Sequence, residues 1–100
     1  MDYQMPKFLF EGEFKVLSNN ARALYMHLLD RQDLGLQNHW VNEKNEVFLI
    51  YSREEMADML GVSQPTLRKA IMQLKQFGLM EEERIGLNRA NRIYLMKVDS

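Results

Sequence analysis

The chain contains no cysteine among its 100 residues. A disulfide framework, a thiolate zinc site and a cysteine nucleophile are therefore excluded. The composition fits a reducing cytosol. Proline occurs twice and glycine five times, too rarely for a fibrous or low-complexity chain. No apolar run approaches the roughly 20 residues that cross a bilayer as a helix. The start, Met1-Asp2-Tyr3-Gln4, lacks the basic region and apolar stretch of a signal peptide. Nor does charge of one sign dominate, since the net charge is −1.

What is present reads as one globular domain spanning residues 1–100, with 46% hydrophobic residues to fill a core and 27% charged residues. The distribution of charge says more than its sum. Residues 63–78 hold Arg68, Lys69 and Lys75 and no acid, and residues 84–97 hold Arg84, Arg89, Arg92 and Lys97 and no acid. The balancing acids lie elsewhere, chiefly at Glu81, Glu82 and Glu83.

Met1–Pro6 reads as an arm, and Lys7–Leu17 as a short apolar helix or strand. Ser18 offers an N-cap oxygen. A helix from about Asn20 to Leu34 follows, with the stripe Ala21, Leu24, Tyr25, Leu28 and Leu29, and Gly35 is placed to end it. Trp40-Val41 and Val47–Tyr51 flank the turn-like Asn42-Glu43-Lys44-Asn45, which predicts a short hairpin. Ser52-Arg53-Glu54-Glu55 forms a capping box before a helix over Arg53–Leu60. Gly61-Val62-Ser63 is the turn, and a second helix over Gln64–Phe77 ends at Gly78. Leu79–Arg84 and Arg92–Val98 read as strands around a polar tip at 85–91.

The segment from Arg53 to Ala70 has the pattern of a helix-turn-helix, and residues 52–98 that of its winged form. Ala57 lets two helices approach closely. Gly61 accepts the positive φ of the turn. Ser63 caps the second helix, and Pro65 is tolerated in its first turn. The fold class is α+β, mainly α, with a three-helix core, an added N-terminal segment and a C-terminal β-wing.

With Leu67, Ala70, Ile71, Leu74 and Phe77 inward, residues Gln64, Pro65, Thr66, Arg68, Lys69, Met72 and Gln73 face out. Such a face suits the major groove of duplex DNA. Gln64 suits adenine and Arg68 suits guanine. Ser63, Thr66 and Lys69 suit phosphates or, for Thr66, a thymine methyl, and Gln73 is counted with them as a DNA-binding residue. At the wing, Asn88, Arg89, Asn91 and Arg92 suit a phosphate or the minor groove. Two short helices joined by glycine also occur in protein-interaction platforms, and a basic loop is often only solvated. A transcriptional regulator and a non-DNA interaction domain therefore stay open as alternatives.

The assembled markers are Leu17-Ser18 with Ala21 and Tyr25, Leu29-Asp30-Arg31, Asn38-His39-Trp40-Val41, Val47–Glu55, Gly78-Leu79 and Asn91–Tyr94. In this combination the chain, from about residue 5 to residue 98, resembles the N-terminal domain of the RepA_N family of plasmid replication initiators from Gram-positive bacteria. The resemblance implies a cytoplasmic protein that binds repeated double-stranded sites at a replication origin as a homodimer. It also implies a further C-terminal domain that contacts host replication proteins, which would make this chain an N-terminal fragment. Phe8, Leu9 and Phe10, or the Trp40–Tyr51 hairpin, are candidate dimer surfaces. Trp40 and Tyr25 are assigned to packing.

Catalysis is not expected. Nicking initiators pair a tyrosine with a His-hydrophobe-His metal motif, but His27 and His39 are far apart and unpaired with any other histidine. A phosphate-binding GxxxxGK loop is missing. Asp30 and Asp33 read as a solvated helix face beside Arg31. Adjacent residues Glu81–Glu83 on a strand point to opposite faces, which argues against a metal cluster. No cofactor or metal is expected.

Overall fold

A computed structural model of the protein describes residues 11–37, 40–86 and 90–96. A 3-10 turn over Gly12–Val16 leads into α1 (Asn19–Gln37). Then come β1 (Leu49–Tyr51), α2 (Arg53–Leu60), α3 (Gln64–Gln76), β2 (Met80–Glu83) and β3 (Asn91–Leu95). Residues 7–10 of the expected apolar segment lie outside the described residues, and its remainder folds as the 3-10 turn.

Helix α1 starts where Ser18 Oγ accepts the Ala21 amide at 3.1 Å. Ala21, Leu24, Tyr25 and Leu28 share its inner face and are fully buried. The helix runs through Gly35 to Gln37 and does not stop at the glycine. A lone helical glycine costs about 1 kcal/mol relative to alanine, a penalty that tertiary packing along a helix absorbs.

The capping box of α2 is complete, with the Glu55 amide donating to Ser52 Oγ and the Ser52 amide donating to Glu55 Oε1, both at 3.0 Å. Gly61 closes α2 in the left-handed region at φ 69°. Helix α3 buries Leu67, Ala70, Ile71 and Leu74. Phe77 is the C-cap and only half-buried, resting 5.9 Å from the ring of Phe14.

The three strands form one antiparallel sheet in the order β1-β3-β2. Ile93 on the central strand lies between Leu49 of β1 and Glu82 of β2. The predicted hairpin around Asn42–Asn45 is reduced to a single bridge, Val41 with Val47. Its turn is held by Asn42 Oδ1, which accepts the amides of Lys44 and Glu46. The later residues of that apolar run pair instead with β3, because a wing strand gives Leu49 a route into the core that a two-stranded hairpin does not. Leu49, Met56, Leu67, Ile71, Leu74, Leu79, Met80 and Ile93 complete the core around α1. The buried Tyr25 hydroxyl donates to the Met96 carbonyl and ties α1 to the end of the wing. Burial pushes its pKa up to about 12.

Candidate nucleic-acid interface

The turn between α2 and α3 is built from local chemistry. The Gly61 amide donates to Asp58 O at 3.2 Å and the Val62 amide to Ala57 O at 3.0 Å. These bonds satisfy carbonyls that the end of α2 leaves free. Ser63 is extended at φ −74°, and its Oγ accepts the Thr66 amide at 3.4 Å and donates to Thr66 Oγ1 at 3.1 Å. Pro65 occupies the first turn of α3, where its missing N–H is not needed.

The face of α3 opposite the core divides into a ridge and two flanks. At 3.6 residues per turn, Pro65, Lys69, Met72 and Gln76 lie opposite Leu67, Ala70, Ile71 and Leu74, and all four are exposed. Gln64, Arg68 and Lys75 form the flank towards the wing. Gln64 and Arg68 are exposed, but Lys75 Nζ lies 2.8 Å from Glu82 Oε1. Thr66 and Gln73 form the flank towards α1. Gln73 is half-buried and its Oε1 accepts the Ser18 amide at 2.8 Å. Gln73 therefore joins α1 to α3, leaving its Nε2 as the group available to a ligand.

Glu82 is the electrostatic centre behind this surface. Its side chain is 5% exposed. It accepts from Arg53 Nε at 3.1 Å and Nη2 at 2.7 Å, and from Asn91 Nδ2 at 3.4 Å. Burial acts to raise its pKa, but the hydrogen bonds and charges of Arg53 and Lys75 outweigh it and hold the carboxyl below its ordinary value. One carboxylate thus joins the start of α2, the end of α3 and strands β2 and β3.

The wing residues separate. Asn88 and Arg89 lie outside the described residues. Asn91 and Arg92 belong to β3, below the loop that joins the two strands. The stretch 84–97 holds no acid in sequence, yet pairing brings Glu83 opposite Arg92. Arg92 Nη1 is 3.6 Å from Glu83 Oε1, and its guanidinium sits 4.7 Å above the Phe48 ring. The positive character of β3 is accordingly smaller than the sequence suggests. Strand register, which sequence spacing does not reveal, is the reason.

In the sequence Ser18 stands out as a cap and as a family marker, and Asn20 only as the start of a helix. The structure sets both beside α3 across a depression of about 360 Å³ shared with Thr66, Lys69 and Gln73. Only the packing of α1 on α3 brings them there, and no local signal marks it. A larger depression of about 760 Å³ lies on the sheet side and is bordered by Glu46, Glu81 and Glu83, a sign unsuited to phosphate. Among the described residues no group of acids and histidines has metal-site geometry. None of the described helices is long and apolar enough to cross a membrane.

Three helices, a glycine turn before an exposed second helix and a three-stranded wing define a winged helix-turn-helix domain. Residues 2–100 match the family described as Replication initiator protein A (RepA) N-terminus, and the chain belongs to this RepA_N family. A 41 kDa protein of Lactobacillus helveticus is 26% identical over 102 residues, covering 95% of this chain and 29% of that protein. The chain therefore spans less than a third of that relative's length. Three solved structures share the whole fold. The N-terminal domain of a DNA binding protein aligns with TM-score 0.87 and 36% identity, over 100% of this chain and 77% of the other. The protein of a Rep–DNA complex aligns with TM-score 0.86 and 36% identity, over 100% and 78%. An MDR initiator aligns with TM-score 0.85 and 28% identity, over 100% and 79%.

Proposed function

We propose that this chain is the sequence-specific, double-strand DNA-binding domain with which a plasmid replication initiator recognises repeated sites at its origin. The observation that carries the reading is the exposed, acid-free face of α3, fixed at its start by Ser63 and at its end by Lys75. Membership of the initiator family and likeness to the protein of a Rep–DNA complex support it. On this reading Gln64 and Arg68 contact base edges. Ser63, Thr66, Lys69 and the free amide of Gln73 hold the sugar-phosphate backbone, as do the wing residues Asn88, Arg89, Asn91 and Arg92.

The domain acts by binding, without catalysis. The protein works as a homodimer in the bacterial cytoplasm, and host replication proteins engage parts of the initiator beyond this chain. Sedimentation at micromolar concentration tests the dimer, and a monomer there would remove it.

The decisive experiment is a gel shift of this chain on fragments covering its own replicon, with nonspecific competitor. Specific shifts are expected on the fragment that holds the origin repeats. Arg68→Ala is expected to lose about 1–3 kcal/mol and to relax selectivity at one base pair. Specific binding confined to a promoter fragment would show a transcriptional regulator instead, and failure to bind any duplex at low salt would leave a protein-interaction domain.

A further inference from the structure

The ridge of α3 carries a side chain that neither phosphate nor base hydrogen bonding explains. Met72 is 61% exposed at the middle of the outward face. Lys69 precedes it by three residues and Gln76 follows it by four, so these neighbour it along the ridge. A lone exposed apolar residue on a protein surface carries no message by itself. This one stands where the helix would enter the groove. On the flanks beside it Gln73 is engaged by the Ser18 amide and Lys75 by Glu82, while Arg68 is exposed. Met72 and Pro65 are thus the apolar members of an otherwise polar ridge.

We infer that Met72 is a specificity-determining residue that reads the C5-methyl group of a thymine in the major groove. The inference rests on the DNA-binding reading above and deepens it by naming a base. Thymine is the base that presents a methyl group in the major groove, and apolar contact is the way a side chain recognises it. A thioether cannot hold a phosphate oxygen, because it has no N–H or O–H to donate. Its flexible, polarisable chain is suited to settling against a methyl group. The contact stabilises a thymine duplex over one with cytosine or deoxyuridine at the same position.

The test uses this chain and a duplex pool with a randomised centre. Duplexes retained by the parent are sequenced, and each thymine of the enriched site is replaced in turn by deoxyuridine. That base keeps every hydrogen-bonding group of thymine and lacks only the methyl. At one position or more the parent is expected to bind about fourfold more weakly, the worth of one methyl-sized group removed from water. Met72→Ala is expected to bind the thymine and deoxyuridine duplexes equally at that position and to keep the parent's response elsewhere. Met72→Leu, which restores an apolar side chain, is expected to recover the preference. If Met72→Ala keeps the parent's penalty at every thymine, or if the parent shows none, the inference is overturned while DNA binding stands. A pool with no enriched duplex overturns both.

Discussion

Glu82 on β2 and Arg53 at the first position of α2 meet in a two-point contact, with Nε to Oε2 at 3.1 Å and Nη2 to Oε1 at 2.7 Å. Lys75 of α3 shares the same carboxylate. The two helices of the reading head are therefore pinned to the wing by a single side chain.

Replacing that carboxylate should loosen the joint. Glu82→Gln is expected to lower stability by about 1–3 kcal/mol, since it weakens charge-assisted bonds in a site where Glu82 itself is dry. The cost stays below that of a fully buried pair, because Arg53 and Lys75 keep 37% and 38% of their side chains exposed and can rehydrate. Urea unfolding near neutral pH measures it. Folding depresses the Glu82 pKa from its ordinary value of 4.5. The stabilisation is thus complete above that ordinary value and is lost as pH falls through the folded value. The difference between parent and Glu82→Gln should shrink on acidification from neutral pH to below the ordinary value of 4.5. A constant difference would assign the stabilisation to packing.

At Gly61 the penalty for a side chain is conformational. A Cβ there would meet nothing within 4 Å, but φ is +69°. Gly61→Ala is expected to cost about 1–2 kcal/mol, and Gly61→Asn less, since asparagine tolerates this region. Gly61→Val should be worse than both. Thermal denaturation of the three variants gives the order, and equal melting temperatures would contradict the turn geometry.

Tyr25 predicts a loss of stability in alkali. Burial raises its pKa from 10.0 to about 12, so the folded state holds the proton more tightly than the unfolded state. Stability from this group is complete below pH 10 and is lost as pH climbs towards 12. Tyr25→Phe should remove that alkaline component and, by deleting the bond to the Met96 carbonyl, cost about 1 kcal/mol at neutral pH. Melting curves across that range, for parent and variant together, decide it.

The two lysines of α3 should behave differently towards DNA. Lys69 is exposed on the ridge, whereas Lys75 is committed to Glu82. Lys69→Ala is expected to weaken binding to all sequences and to reduce the slope of log affinity against log salt by about 1. Lys75→Ala should leave that slope near the parent's and act on stability. Fluorescence anisotropy over a salt series separates them, and matching slopes for the two variants would show that the Glu82 pair opens on DNA.

Much of this protein was legible in its residues because the relevant chemistry is local. The capping box at Ser52–Glu55, the glycine at 61, the cap at Ser63 and the buried stripe of α3 depend on neighbours within one or two helical turns. Each forms where the pattern places it, except that Phe77 of the expected stripe is the half-buried C-cap. The same holds for Ala21, Leu24, Tyr25 and Leu28 on the inward face of α1 and for the residues of β2 and β3 that pair, while Lys97 and Val98 of the expected last strand lie outside the described residues. The likeness to plasmid initiators was readable too, since it lies in side-chain identities along the chain.

Tertiary structure decided what lies between distant residues. It assigned Leu49–Tyr51 to the wing rather than to a hairpin, and it carried α1 through Gly35. It also decided which polar and charged side chains remain free. Lys75, Arg92 and Gln73, all outward or basic in the sequence, meet Glu82, Glu83 and the Ser18 amide. The physical reason is one of range. A cap or a helical stripe is settled by residues a few ångströms away along the chain, whereas the partner of a charge is settled by strand register and helix packing. Sequence by itself therefore determined that an exposed helix would present Lys69 and Met72, and the fold determined that Lys75 and Gln73 on its flanks are held by Glu82 and the Ser18 amide.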